Sequence, residues 1–389
     1  MHQRFTTRQR KRIGVFISLA VVVIGACGQQ APSPGRGHDV WSGSGVWQQM
    51  SFDASTPPTR NSAVVVWTGR AVLIWGGVTD GATVLLGPDG TYPPGYNGYT
   101  GTARTDGAAF NPKTRQWSSI PDAPIPFLGF DASSAWTGHE MLVWGTEYSL
   151  TASHSAGALY DPSTRRWRQM AHQDTVDVGA GVWTGTEWIV AGNAAGSNRI
   201  AAAAYRPETD TWRQLPAPPT PNVPRSRPVW TGTLALFGIP VLSDVPLAYN
   251  PATNQWVTMP PSPFGERLET TTAWTGDVML ETTRRYAPGA RGDDVMIPKP
   301  GYGRFDPASA KWEQMQAPPQ DVSFGQTVDH HAVFGTPSSL LAYDGRTDEW
   351  TTLPAPAELG VLVWTGDELW NVVMAHLGSP GALSRYVPQ

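Results

Sequence analysis

Residues 132–145 read ASSAWTGHEMLVWG, and residues 160–167 read YDPSTRRW. The first stretch is a run of small residues, a turn signal at Trp136-Thr137-Gly138, and a second β-prone run reaching Trp144. The second is an aromatic residue, Asp-Pro turn chemistry, and a Trp seven residues after the aromatic. Each β-prone run is too short for a helix and is closed by Gly, Pro or Asp, as strands joined by tight turns are. Four such runs recurring every 40–50 residues or so are the mark of a propeller blade.

Both stretches recur. Trp-Thr-Gly stands at Trp67, Trp136, Trp183, Trp230, Trp274 and Trp364, and a degenerate copy, Val328-Asp329-His330-His331, stands where a seventh is due. The aromatic–Trp pair reads Phe110…Trp117, Tyr160…Trp167, Tyr205…Trp212, Tyr249…Trp256, Phe305…Trp312 and Tyr343…Trp350. A seventh pair is split between the chain ends. Tyr386-Val387-Pro388 has the aromatic without the Trp, and Trp47-Gln48-Gln49-Met50 matches the second-signature segment Trp167-Arg168-Gln169-Met170. The expectation is an all-β, seven-bladed β-propeller of four-stranded antiparallel blades over residues 47–389, its last blade completed by the N-terminal strand. In the first blade the strands are expected at Ser62–Trp67, Val72–Trp75, Ala108–Phe110 and Gln116–Ser119. Spacings of 70, 50, 45, 44, 56 and 38 residues between successive second-signature Trp place insertions in the first and fifth copies.

Composition agrees. The 389 residues include 41 Gly, 36 Pro and 18 Trp, with charged residues at 15%. Gly and Pro at that density break helices, which excludes a bundle or coiled coil. Aromatics at 10% exclude a disordered chain. Seventeen of the Trp fall on repeat positions and only Trp41 does not, so packing rather than ligand stacking is the first reading of any one of them.

The first residues read as an address. Arg4, Arg8, Arg10, Lys11 and Arg12 precede the apolar run Ile13–Ile24, which is too short to span a bilayer and suits a secretory signal. Ile24-Gly25-Ala26-Cys27 resembles the bacterial lipobox. That resemblance implies a signal peptide over 1–26, a diacylglycerol on Cys27, and an extracytoplasmic lipoprotein held on the bacterial cell membrane. Residues 27–46, rich in Gly, Ser and Pro, are expected to be a lipidated tether. Removing residues 1–26 takes away five of the 28 basic residues and none of the 32 acidic ones, which leaves a net charge of −9. No nucleic-acid partner is expected of such a domain. With Cys27 the single cysteine, an intrachain disulfide and a cysteine-ligated metal in the propeller are excluded.

The repeat resembles the kelch repeat of galactose-oxidase-like propellers, on Gly76-Gly77 after the second strand and on Tyr160-Asp161-Pro162-Ser163-Thr164 with Trp167. The resemblance implies blades running from strand a inside to strand d outside, with the b–c and d–a connections sharing the usual binding face. Both insertions fall in b–c connections. The first, Val78–Asp106, carries Tyr92, Tyr96, Tyr99 and Arg104; the second, Thr282–Tyr302, carries Tyr286. The d–a connections add Arg60, Phe127, Phe130, Arg225, Arg227 and Arg267. Tyr and Arg on long loops over a rigid scaffold are recognition chemistry.

Catalytic patterns are sparse. The copper site of galactose oxidase needs a cross-linked cysteine, and the single Cys27 lies outside the propeller. The Glu-x3-Asp-x3-His iron motif of kelch-type specifier proteins, His-Glu-x-x-His, the P-loop and Gly-x-Ser-x-Gly do not occur. Inner-strand acids are few (Asp131, Glu269, Asp329). His330 and His331 read as one inward polar ring and one packed ring, and no metal site or cofactor is expected. The first functional reading is therefore a monomeric, membrane-anchored binding protein that recognises an envelope protein or glycan. The alternative is a cell-surface or periplasmic kelch-type enzyme such as a sugar mutarotase or epimerase.

Overall fold

The computed structural model describes residues 40–50, 60, 62–79, 102–126, 128, 132–148, 153–195, 197, 199–220, 228–237, 245–263, 269–286, 296–320, 322, 325–336, 338–373 and 381–389. They form seven four-stranded antiparallel blades in a ring, with no helix among them. In strand order a to d, blade I is Val64–Trp67, Val72–Trp75, Gly107–Asn111 and Gln116–Ile120. Blade II is Ser133–Trp136, Met141–Tyr148, Ser153–Asp161 and Arg166–Gln169. Blade III is Val176–Trp183, Trp188–Ala194, Ile200–Arg206 and Thr211–Gln214. Blade IV is Val229–Trp230, Ala235–Leu236, Leu247–Asn250 and Gln255–Thr258. Blade V is Glu269–Trp274, Met279–Tyr286, Met296–Asp306 and Lys311–Gln314. Blade VI is Gly325–Val328, His331–Gly335, Ser339–Asp344 and Glu349–Pro354. Blade VII takes Val361–Trp364, Leu369–Val373 and Ala382–Pro388 from the C-terminal end and Gly45–Gln49 from the N-terminal end.

The closing strand sits in the expected register. Trp47 pairs with Tyr386, and the ladder runs from Gly45↔Pro388 to Gln49↔Ser384. Backbone bonds Gln389 N–H to Ser44 O and Met50 N–H to Leu383 O set the phase of that ladder. Trp47 and Tyr386 fall at a non-hydrogen-bonded pair, where opposed side chains approach most closely. The strand starts two residues earlier than expected. Val40 is buried, and Trp41 packs beside Trp364 in the same cluster, so the packed chain begins inside the stretch 27–46 read as a tether.

The core has no single centre. Seven apolar clusters of the described residues each lie between two neighbouring blades. Trp75, Trp144, Trp188 and Trp370 on the second strands are fully buried in them. Adjacent inner strands touch from blade I to IV, from V to VII, and from VII back to I, so a is the axial strand.

Three devices explain the repeat. In Trp-Thr-Gly, the Thr hydroxyl accepts the N–H of the residue three on and donates to its carbonyl, as at Thr137 with Glu140. The same cap recurs at Thr68, Thr275 and Thr365. The following Gly takes positive φ, from 83° at Gly69 to 107° at Gly138, where an L side chain is strained. In the degenerate copy Asp329 fills that position at φ 55°.

The second device is the c–d turn. Its residue two before the Trp is left-handed in all six described copies: Arg115, Arg165, Asp210, Asn254, Ala310 and Asp348. Asp210, Asn254 and Asp348 also accept the hydroxyl of the strand-c tyrosine.

The third is the second-signature Trp. In all seven copies its ring packs tilted on the paired aromatic, centroids 5.0–5.3 Å apart. Its Nε1–H then reaches the preceding blade and donates to the carbonyl four residues past that blade's own Trp. The bonds run Trp47 to Pro354, Trp167 to Pro121, Trp212 to Ala171, Trp256 to Pro216, Trp312 to Pro260 and Trp350 to Gln316, at 2.7–3.0 Å. For Trp117 the matching acceptor, Ser51, lies outside the described residues. These Trp are half-buried staples between blades. They pack against the rims of the apolar clusters, as the packing reading expects, and the second-strand Trp fill the interiors.

Candidate functional site

Antiparallel order a-b-c-d puts the a–b and c–d turns at one end of the ring, here the turn face. The b–c and d–a connections lie at the other end, the loop face. The candidate site is the loop face.

Its described anchor is in blade I. Gly76-Gly77 ends strand b with both residues at positive φ, and Val78–Thr79 then pairs with Thr102–Ala103 as a two-stranded ribbon. Residues 80–101 leave and return through that ribbon. Two of the expected site residues meet below it. Arg60 Nη1 donates to Gly76 O at 3.1 Å, to Asp106 O at 2.9 Å and to Asp106 Oδ1 at 3.2 Å. Arg104 grips the same carboxylate with two bonds, Nε to Oδ1 at 2.9 Å and Nη2 to Oδ2 at 2.7 Å. Arg60 is only 3% exposed, and Arg104 is 34% exposed. Burial pulls the Arg60 guanidinium below its ordinary pKa, against the pull of Asp106. Burial works to raise the Asp106 carboxyl, but the two guanidinium groups outweigh it and hold the group below the usual range. Arg60 is thus a structural pin that ties the d–a connection to the root of the ribbon. Arg104 is the member that reaches solvent.

The other expected residues divide. Tyr92, Tyr96, Tyr99, Phe127, Phe130, Arg225, Arg227 and Arg267 lie outside the described residues, as does Cys27. The reading of Thr282–Tyr302 as an inserted loop needs correction. Strands b and c of blade V simply continue, and Arg285↔Ile297 and Tyr286↔Met296 pair beyond a bulge, so Tyr286 stands on a strand. Asp329, expected on an inner strand, is instead in the a–b turn on the turn face. His330 shares that turn rather than facing inward, whereas His331 opens strand b and is buried.

Sequence reading missed several polar groups of the loop face, all of which bind backbone. The Thr146 hydroxyl donates to Asp177 O at 3.1 Å, which joins blade II to blade III. Gln173 folds its d–a connection onto itself, accepting from the Thr175 and Val176 N–H groups and donating to Val176 O and Ser155 Oγ. Gln326 of blade VI donates to Gly360 O and accepts from Leu362 N–H at 2.8 Å each. Asn371 accepts from Gly360 N–H at 2.7 Å and donates to Glu358 O. Glu281, fully buried on strand b of blade V, occupies the position that Ile74, Val143, Val190 and Phe334 fill in other blades. The apolar alternation on those strands is the signal that marks Glu281 and Asn371 as exceptions. No group of three or more His, Cys, Asp or Glu that could hold a metal occurs among the described residues.

The chain is a seven-bladed β-propeller. No family model matches it, and no curated protein does. Among solved structures it is similar to one described as "Structure of YjhT", at a TM-score of 0.47 and 10% identity, over 84% of this chain and 97% of that one. No functional argument rests on that likeness. No helix of the described residues is long and apolar enough to cross a membrane.

Proposed function

We propose that the protein is a non-catalytic binding propeller, anchored outside the cytoplasm through Cys27, that recognises an envelope protein or glycan with its loop face. One observation carries the reading: the Arg60–Asp106–Arg104 clamp and the Val78–Thr79 ribbon give a 22-residue excursion, 80–101, a rigid root. That excursion holds Tyr92, Tyr96 and Tyr99, and long loops on rigid scaffolds are where recognition concentrates. A kelch-type sugar mutarotase or epimerase is the second reading. The feature favouring it is Glu281, a carboxylate placed at an otherwise mostly apolar core position.

Because Thr79 is paired with Thr102, residues 80–101 can be replaced by Asn-Gly, which closes a two-residue hairpin. The variant is expected to keep its melting temperature and to lose binding on a glycan array and in pull-downs of envelope proteins. Unchanged binding would overturn the loop-face reading. Turnover of free sugars, tested on the intact chain and on Glu281→Gln, would favour the enzyme.

A further inference from the structure

The turn face is unevenly charged, and the described chain begins on it. Trp41 stacks on His331, centroids 3.9 Å apart and planes 20° from parallel, and tilts against Trp364 at 6.4 Å. His331 opens strand b of blade VI and Trp364 ends strand a of blade VII, so both mark the turn face. Gly45, opposite Pro388 at the end of strand c, is at the same face. The described chain therefore begins at the turn face, at Val40. Twelve residues separate Val40 from Cys27, at most about 45 Å of chain.

The same face carries a basic patch over blades I and II. Arg70 in the first a–b turn, Lys113 and Arg115 in the first c–d turn, Arg165 in the second c–d turn and Arg166 opening the strand after it are all exposed. None of the five makes an ion pair with a described carboxylate; of the acids on the turns of these two blades, Asp161 is held by Ser163 and Thr164 and Glu140 by Arg168. Arg165 donates to Ser119 O at 2.9 Å, which lays the second turn against the outer strand of blade I and makes the patch continuous. Over blades VI and VII the face turns acidic, with Asp329, Asp344, Asp348, Glu349, Asp367 and Glu368 against Arg346 and Arg385. A concentrated basic patch on a domain of net negative charge is a surface suited to anions.

We propose that the turn face lies on the membrane, with Arg70, Lys113, Arg115, Arg165 and Arg166 resting on anionic lipid headgroups and the loop face turned outward. Basic residues near an anionic leaflet are each attracted by about fivefold in partition, and the attraction fades within a Debye length. The anchor at Cys27 belongs to the proposed function, and the orientation rests on it; the charge patch stands by itself.

The test uses the full chain isolated from membranes of the expressing cell and reconstituted in vesicles. Thr114→Cys marks the turn face of blade I, and Arg199→Cys marks the b–c turn of blade III on the loop face. Each carries a donor dye, with an acceptor on the lipid headgroups. Energy transfer is expected to be stronger from position 114, with the difference larger in phosphatidylglycerol vesicles than in phosphatidylcholine and lost at about 0.5 M salt. Lys113→Glu/Arg115→Glu/Arg166→Glu is expected to abolish the lipid-charge dependence without changing the melting temperature. Equal transfer from both positions, stronger transfer from 199, or indifference to lipid charge would overturn the proposal. Mass analysis of the N-terminal peptide reads the anchor separately. If it bears no lipid, the anchoring reading fails, and cosedimentation with the same vesicles still decides the patch: binding only to phosphatidylglycerol supports it, and no binding overturns it.

Discussion

On the turn face, six blades join strand a to strand b through the same four positions, with a Thr cap and a positive-φ Gly at Gly69, Gly138, Gly185, Gly232, Gly276 and Gly366. On the loop face, the d–a connections begin alike, each with a carbonyl that takes a Trp staple, but the polar contacts beyond that point differ among the described junctions. Arg60 ties one, Thr146 and Gln173 hold another, and Gln326 with Asn371 secures a third. Uniform turns are what seven equal sectors require, because each blade must meet the next at the same angle. A binding face needs the reverse, since seven identical connections could not recognise an asymmetric partner. Variation at one end of a rigid ring and repetition at the other mark which end is free to specialise.

The comparison predicts different kinds of failure. Trp47→Ala removes a staple and a ring contact where the two chain ends meet, and it should cost about 4 kcal/mol, read by chemical denaturation. Trp256→Ala, within a continuous blade, should cost less. Asp106→Ala leaves the buried Arg60 without its carboxylate and should cost about 3 kcal/mol. The same variant should loosen residues 80–101, read as faster hydrogen exchange there and at no turn of the opposite face.

Between pH 7 and pH 5 the turn face should also be the acid-sensitive one, since the lowered Asp106 carboxyl of the loop face gives way only in stronger acid. Burial pushes His331 down to about 4, against the pull of Asp344, whereas an unfolded histidine titrates near 6.5. The unfolded chain takes up the proton first, so stability falls as pH drops from about 6.5 to about 4 and levels below. The loss between pH 7 and pH 5 should be about 2 kcal/mol. His331→Phe, which keeps a ring against Trp41, should flatten that limb. The smallest effects concern single turns. Gly138→Ala meets no atom within 4 Å, so it should cost only the backbone strain, about 1 kcal/mol. Asp329→Gly should do the reverse, raising the melting temperature slightly by relieving the one left-handed non-Gly residue at that position.

Legibility in the sequence tracked the range of the interactions. The Thr cap, the Gly and the aromatic–Trp pair are local, and they marked the repeat, the blade number and the Trp47–Tyr386 register. The Trp staples were legible as well, though read only as packing: Pro121, Pro216, Pro260 and Pro354 each stand four residues after a second-signature Trp. The Arg60–Asp106 clamp spans 46 residues of irregular chain and leaves no periodic trace. The hairpin extension of blade V looked like an insertion because Pro298 and Pro300 interrupt any strand pattern there. Trp41 belongs to no repeat, so nothing in the sequence tied it to His331.

The ring closure supports every assignment of a residue to one face or the other, and a disulfide tests it directly. Gln49 and Ser384 are opposed at a non-hydrogen-bonded pair, the geometry a cross-strand disulfide favours. In Gln49→Cys/Ser384→Cys, mild oxidation should link the two peptides within one molecule, as read by mass spectrometry of the digest. The melting temperature should rise, because the bridge closes nearly the whole chain. Free thiols after oxidation, or a bridge formed only between molecules, would contradict a propeller closed by its own N-terminal strand.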